Sequence, residues 1–234
     1  MQLPGKGRLS QREEEYDTSR KGTLSSEPLT QTHDGYQLNC GVLRKMKTKL
    51  TGIVTGIYIG QHWHSIESSR VASLKASFEG FEGDLHAGLT RLSDVRVAHY
   101  PRRTVIRNTR QFSMLSIEEL AEIAQALQIP EILPEWVGAN LAMQGIANLT
   151  MLPPSTRIFF PGDAVLVVDA ENMPCTGPGE SIQQHYPDAP KLVQHFPKAA
   201  MHKRGVVGWV EREGYIAEGD SVWLLLPPKV TYSY

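Results

Sequence analysis

The sequence predicts a mainly β protein, a closed or partly closed barrel carrying a few short α-helices. Two observations predict it. Short runs rich in β-branched residues recur along the chain, separated by Gly-Asp turns such as Pro161-Gly-Asp163 and Glu218-Gly-Asp220. There is also no regular alternation of strand and helix of the kind that builds a parallel sheet.

Taken in order, Leu50 to Ile59 is the first strand, with glycines that suggest a bend or bulge. Val71 to Phe78 alternates apolar and polar residues, as a half-buried strand does. Asp94 to Tyr100 is ambiguous between strand and loop, and Thr104 to Leu115 reads as a strand interrupted by basic residues. Ser116 to Leu127 is the clearest helix, with a Ser116/Glu119 capping-box pattern and Ile117, Leu120, Ala121, Ala124 and Leu127 on one face. Strands resume at Gly138–Ile146, Asn148–Leu152, Thr156–Phe160, Ala164–Val168, Val206–Val210 and Ser221–Leu226.

Composition bounds the class of protein. The 234 residues are 41% hydrophobic and 21% charged with a net charge of −1, which fits a globular chain with no overall nucleic-acid footprint. No run is long and apolar enough to span a membrane, and the first ten residues lack a secretory core. Two cysteines, Cys40 and Cys175, make no disulfide framework and suit a reducing cytoplasm. Residues 1–49 are polar and aperiodic, with nine Lys/Arg against six Asp/Glu, whereas residues 50–234 carry fifteen against nineteen. The expectation is a disordered or non-native extension, with a second possible start at Met46, and Cys40 within it is read as incidental.

Four features could carry chemistry. Cys175 lies in Asp169 to Glu180, a Pro- and Gly-rich stretch; a thiol there can be a nucleophile, a soft metal ligand, or simply a small buried residue. Asp84 and His86 lie two apart in a Gly-rich loop. Either the carboxylate orients the imidazole or it closes a local turn, and both readings stand. Arg102, Arg103, Arg107 and Arg110 form one basic cluster and Lys203-Arg204 another; alternation favours Arg103 with Arg107, or Arg110 through a bend, for a shared anion. His62 and His64 lack the paired ligands of a structural zinc site and are read as solvated or packed, and His185 and His195 as surface residues. No P-loop, dinucleotide fingerprint or serine-hydrolase elbow is present.

The blocks Phe81-Glu-Gly-Asp-Leu-His-Ala-Gly88, Arg110 to Leu115, Gly138-Ala-Asn-Leu141, Met173-Pro-Cys175 and Arg204-Gly205, with the closing Gly214-to-Leu226 hairpin, resemble in order the motifs of the MOSC domain family. The resemblance covers roughly residues 50–227, leaving 228–234 as a tail, and implies a MOSC-type β-barrel. It implies the molybdenum cofactor, a phosphorylated pterin dithiolene, with Cys175 as metal ligand or sulfur-handling thiol. Asp84, His86 and Asn140 would line the pocket, and Arg107, Arg110 or Arg204 would hold the phosphate. The implied activity is reduction of small N-hydroxylated compounds with electrons from a separate protein. The alternative is a sulfur or cofactor carrier that uses a Cys175 persulfide without turnover. A third reading is a non-catalytic barrel with Cys175 buried and inert. Pyridoxal phosphate is not expected, since it belongs to a separate desulfurase domain that 49 residues cannot hold. One departure is noted: Ala139 stands where the family usually has Glu.

Overall fold

The computed structural model describes residues 50–229 and residue 231, so the expected extension, Cys40 and Met46 lie outside the described residues. Thirteen strands and three helices follow in order. They are β1 (Leu50–Ile59), β2 (Ser69–Val71), β3 (Ser73–Ser77), β4 (Gly80–Phe81), β5 (Thr90–Leu92), β6 (Val105–Arg107), β7 (Phe112–Ser116) and α1 (Ile117–Leu127). Then come β8 (Leu141–Gln144), β9 (Arg157–Phe159), β10 (Val165–Glu171), α2 (Thr176–His185), α3 (Leu192–Ala199), β11 (Val206–Arg212), β12 (Gly214–Ala217) and β13 (Ser221–Leu225).

Seven strands close into a barrel in the order β13-β9-β10-β11-β7-β8-β1, and β1 returns to β13 with Leu50 opposite Leu224. An odd ring cannot alternate direction all the way round, so one neighbouring pair must be parallel. That pair is β7–β8, with Met114 opposite Leu141. A parallel pair needs a crossover, and α1 supplies it. The β1–β8 register shifts between Val54 and Gly56, a bulge at the bend that the glycines of β1 suggested.

The alternation of each strand sorts side chains into two cores. Phe112, Met114, Leu141, Met143, Ile158, Leu166 and Val168 fill the barrel, joined by Leu74, Ala76, Phe81 and Ile216 from the small β12-β3-β4 sheet. Leu115 and Ala142 point outward and pack beneath Leu120 and Ile123 of α1, Ile182 of α2 and Leu192 and Phe196 of α3. Each fully buried side chain of this size is worth about 1.5–3 kcal/mol, so these two layers carry the stability. The β5–β6 hairpin adds no residue to either core. Polar contacts at its base hold it instead: Asn108 N donates to Leu89 O (3.0 Å), and Asn108 Nδ2 donates to the carbonyls of His86 (2.8 Å) and Gly88 (3.1 Å).

Several expected elements differ. Asn148–Leu152 is a 3-10 turn, Leu149–Met151, because Asn148 enters it with a positive φ of 52° and the chain cannot stay extended. Asp94–Tyr100 also forms a 3-10 turn, Val95–Val97, capped by the Asp94 side chain. Thr104–Leu115 breaks into β6 and β7 around residues 108–111. Ser116 does cap α1, accepting from the N–H groups of Glu118 and Glu119 (both 3.2 Å). Glu119 does not reach back to complete the box. It turns to Thr150, accepting from its N (3.1 Å) and Oγ1 (2.6 Å), and the buried face of α1 runs through Glu119, Leu120, Ile123 and Ala124. Among the described residues no helix is long and apolar enough to cross a membrane.

Candidate functional site

Asp84 is the centre of one half of the site. Its side chain is fully buried, and each carboxylate oxygen accepts two hydrogen bonds. Oδ2 takes Gly60 N (2.8 Å), at the end of β1, and Asn140 Nδ2 (2.7 Å), while Oδ1 takes His86 N (2.8 Å) and His86 Nδ1 (2.9 Å). The two readings of this loop therefore hold together: the carboxylate closes the local turn and also orients the imidazole. Burial pushes the Asp84 carboxyl up, but the donors from His86 and Gly60 outweigh it and hold the group below its ordinary value. With Nδ1 donating to Asp84, Nε2 of His86 is left as the acceptor on a half-exposed ring.

Asn140 extends this centre into the barrel wall. Its Oδ1 accepts from Ser113 N (2.9 Å), and its Nδ2 also donates to Tyr58 O (3.2 Å), so one amide ties β7 and β1 to the Asp84 loop. Ser113 Oγ accepts from Asn172 Nδ2 (3.2 Å), and Asn172 Oδ1 accepts from Arg110 Nη2 (3.0 Å). His86, Asp84, Asn140 and Arg110 are thus joined through Ser113 and Asn172. Neither joining residue was singled out from the sequence. The available signal for Asn172 was its place in the Asp169-to-Glu180 stretch.

The other half is the thiol. Cys175 is exposed and occupies the N-cap of α2, three residues beyond Asn172, so the thiol is not buried as the third reading expected. Met173 beside it is 57% exposed, and a Cβ built on Gly177 would lie 3.7 Å from Ile66 Cδ1 and 4.0 Å from Cys175 Sγ. The thiol therefore sits at an apolar edge formed by the 60–68 loop and the start of α2.

Arg204 lies beneath this edge and is only 5% exposed. Asn172 N donates to Gly205 O (2.8 Å), which brings the Arg204–Gly205 turn across from the cysteine loop. Gly205 N donates to Thr150 Oγ1 (2.7 Å), and its φ of +86° requires glycine. Arg204 Nη2 donates to Val137 O, but its Nη1 is buried and has no hydrogen-bond partner among the described residues. Burial pushes the Arg204 guanidinium down to about 10; the neighbouring Cys175 counters this and Arg110 adds to it. Arg110 is likewise pushed down to about 10, first by burial and then by Arg96 and Arg91, with Asp94 and Asp169 offsetting in part. A buried cation by the thiol loop with an unsatisfied donor, and a second cation tied to that loop through Asn172, are groups that an anion would satisfy.

The remaining sequence candidates fall elsewhere. Arg107 is exposed on β6 and Arg103 is exposed in the hairpin turn with a φ of 67°, so the alternation that paired them does not apply. His62 and His64 are exposed, and among the described residues no three His, Cys, Asp or Glu side chains group to hold a metal. His185 is a surface residue with partners, stacked on Trp136 at 4.0 Å and 2.9 Å from Glu67 Oε1. Ala139 packs in the outer apolar layer beneath the helices, so its departure from the motif leaves the Asn140–Asp84 contact intact.

Comparison with known proteins adds four findings. The model of the MOSC domain matches residues 96–223. A Bacillus subtilis (strain 168) protein with the provisional name metal-sulfur cluster biosynthesis protein YuaD is 43% identical over 177 residues, which is 76% of this chain and 92% of that protein. The crystal structure of the B. subtilis YuaD protein superposes with a TM-score of 0.75 at 41% identity, covering 77% of this chain and 99% of that one. YiiM from Geobacillus stearothermophilus shares the fold at a TM-score of 0.52 and 15% identity, over 74% and 75% of the two chains.

Proposed function

The chain belongs to the MOSC domain family, and from that premise we propose that its thiol-centred site holds the molybdenum cofactor, with Cys175 as a thiolate ligand of the metal. The observation that supports this reading is the exposed Cys175 with the buried Arg204 against its loop, the Nη1 of Arg204 unpaired among the described residues, and Arg110 tied to that loop through Asn172. An anionic group carrying a soft metal answers both needs, because thiolates favour soft metals and guanidinium forks match phosphate oxygens. Arg110 and Arg204 would hold the phosphate and Cys175 the metal. Once bound, the cofactor would supply a two-electron redox centre for small N-hydroxylated compounds, with electrons from a separate protein. The chain's own part is positional. Asn172 and Ser113 fix Arg110, Asn140 fixes Asp84, and Asp84 fixes the imidazole whose Nε2 can hold or take a proton at the site.

The test is elemental analysis of wild type beside Cys175→Ser, both made in a host with cofactor biosynthesis intact. Molybdenum near one atom per chain in wild type and its loss in the variant is the expected result. No molybdenum in either sinks the reading.

A second reading is sulfur carriage, in which Cys175 holds a persulfide. The exposure of the thiol and the provisional name of the YuaD relative favour it. The intact mass of freshly purified protein would then show one labile extra sulfur, absent in Cys175→Ser.

A further inference from the structure

Sulfur carriage leaves open where the sulfur comes from, and the residues around Cys175 bear on that. If a partner protein handed over a persulfide sulfur, the leaving group would be a thiolate held by the partner. Nothing in that exchange calls for buried guanidinium groups on the receiving side. Yet Arg204 is buried against the cysteine loop with Nη1 unpaired among the described residues, and the half-buried Arg110 is tied to the same loop through Asn172. Leaving a buried donor unsatisfied is costly, and two cations held close together add to that cost even where Asp94 and Asp169 offset part of it. Both are relieved by a small oxyanion placed between the arginines and the thiol.

We propose that Cys175 is loaded with sulfur directly by a small anionic sulfane-sulfur donor of the thiosulfonate class, thiosulfate being the simplest, whose oxygens are held by Arg110 and Arg204. The proposal rests on the sulfur-carrying reading of Cys175. The thiol first loses its proton to solvent. The thiolate then attacks the sulfane sulfur, the new S–S bond forms on Cys175, and the S–S bond of thiosulfate breaks with its electron pair leaving on sulfite. One thiolate and one thiosulfate dianion give one persulfide anion and one sulfite dianion, so atoms and charge balance and no outside oxidant is needed. Attack by a thiolate needs no general base at the site. The arginines act on the leaving group, where negative charge gathers on the sulfite oxygens as the bond breaks. A thiophilic acceptor such as cyanide then takes the outer sulfur as thiocyanate and restores the thiolate.

The experiment uses the full chain, reduced and freed of small thiols, with thiosulfate as the probe. The expected result is release of one sulfite per chain, an intact mass higher by one sulfur, and steady thiocyanate formation when cyanide is added. Cys175→Ser should give none of these. Arg110→Lys should raise KM for thiosulfate roughly tenfold through loss of a forked, charge-assisted contact, and inorganic sulfate should compete in wild type, a measurement that does not depend on any variant folding. A parallel arm offers wild type inorganic polysulfide, which carries sulfane sulfur but no oxyanion. Loading by polysulfide without loading by thiosulfate overturns the proposal and spares the carrier reading. Loading by neither overturns both. Loading by thiosulfate without competition by sulfate overturns the role given to the arginines.

Discussion

Replacing Asp84 by Asn exchanges one oxygen for an NH2 at the most connected side chain of the site, and its cost can be worked from the contacts. Four donors converge on the carboxylate, two on each oxygen. An amide keeps only one oxygen, and that oxygen will face Gly60 and Asn140, whose donors are buried. The new NH2 must then face His86. The backbone N–H of His86 turns to water, at roughly 0.5–1.5 kcal/mol, and the buried pair loses the charge assistance that makes such bonds about twice as strong. The sum is about 2–3 kcal/mol, read by urea denaturation followed through tryptophan fluorescence. The pH profile carries a sign. The Asp84 carboxyl is held below its ordinary 3.8, so its stabilisation is complete above that value and is lost as pH falls through the lower, folded one. The gap between wild type and variant should be flat near neutral pH and close below about pH 4. The imidazole also reports: facing an NH2, Nδ1 must become the acceptor and Nε2 must carry the proton, an inversion visible in nitrogen chemical shifts. A cost under about 0.5 kcal/mol together with an unchanged tautomer would refute this account of Asp84.

Three further outcomes follow from other parts of the fold. Gly205→Ala places a Cβ on the carbonyl oxygen of Met114 at a positive φ, so a loss of about 3 kcal/mol or more is expected as a lowered Tm or absent soluble protein. Glu119→Gln should be tolerated within about 1 kcal/mol at pH 7. Burial pushes the Glu119 carboxyl up against the Thr150 hydrogen bonds, so wild type loses that contribution as pH rises through the folded value and the variant should gain relative to it between pH 4 and 7; a relative loss in a pH series of Tm contradicts this. Cys175→Ser, at an exposed N-cap, should shift stability by less than about 0.5 kcal/mol in the same assay.

Much of the barrel could be read in advance because its strands are local signals. Alternation marks Leu74 and Ala76 as inward, and β-branched runs mark β1, β10, β11 and β13. The helices α2 and α3 were not legible. Gly177, Pro178 and Gly179 crowd the first turn of α2, and Pro197 sits inside α3. Their helicity comes from burying Ile182, Leu192 and Phe196 on the barrel wall, a tertiary effect that local propensity cannot show. The site divides in the same way. Asp84, His86, Asn140 and Cys175 announced themselves by motif. That Arg110 turns to Asn172 while Arg107 stays exposed depends on the break between β6 and β7, and the burial of Arg204 is not revealed by Lys203-Arg204-Gly205.

The seam between β1 and β13 has a consequence for how the molecule comes into being. The first strand of the ring waits for the last, so a nascent chain cannot seal its hydrogen-bond cylinder until β13 has left the ribosome. Until then β1 and β9 each offer a bare edge to any passing strand. Such long-range pairing makes for slow folding, so the time before closure, rather than the finished barrel, is when this protein is most exposed to aggregation.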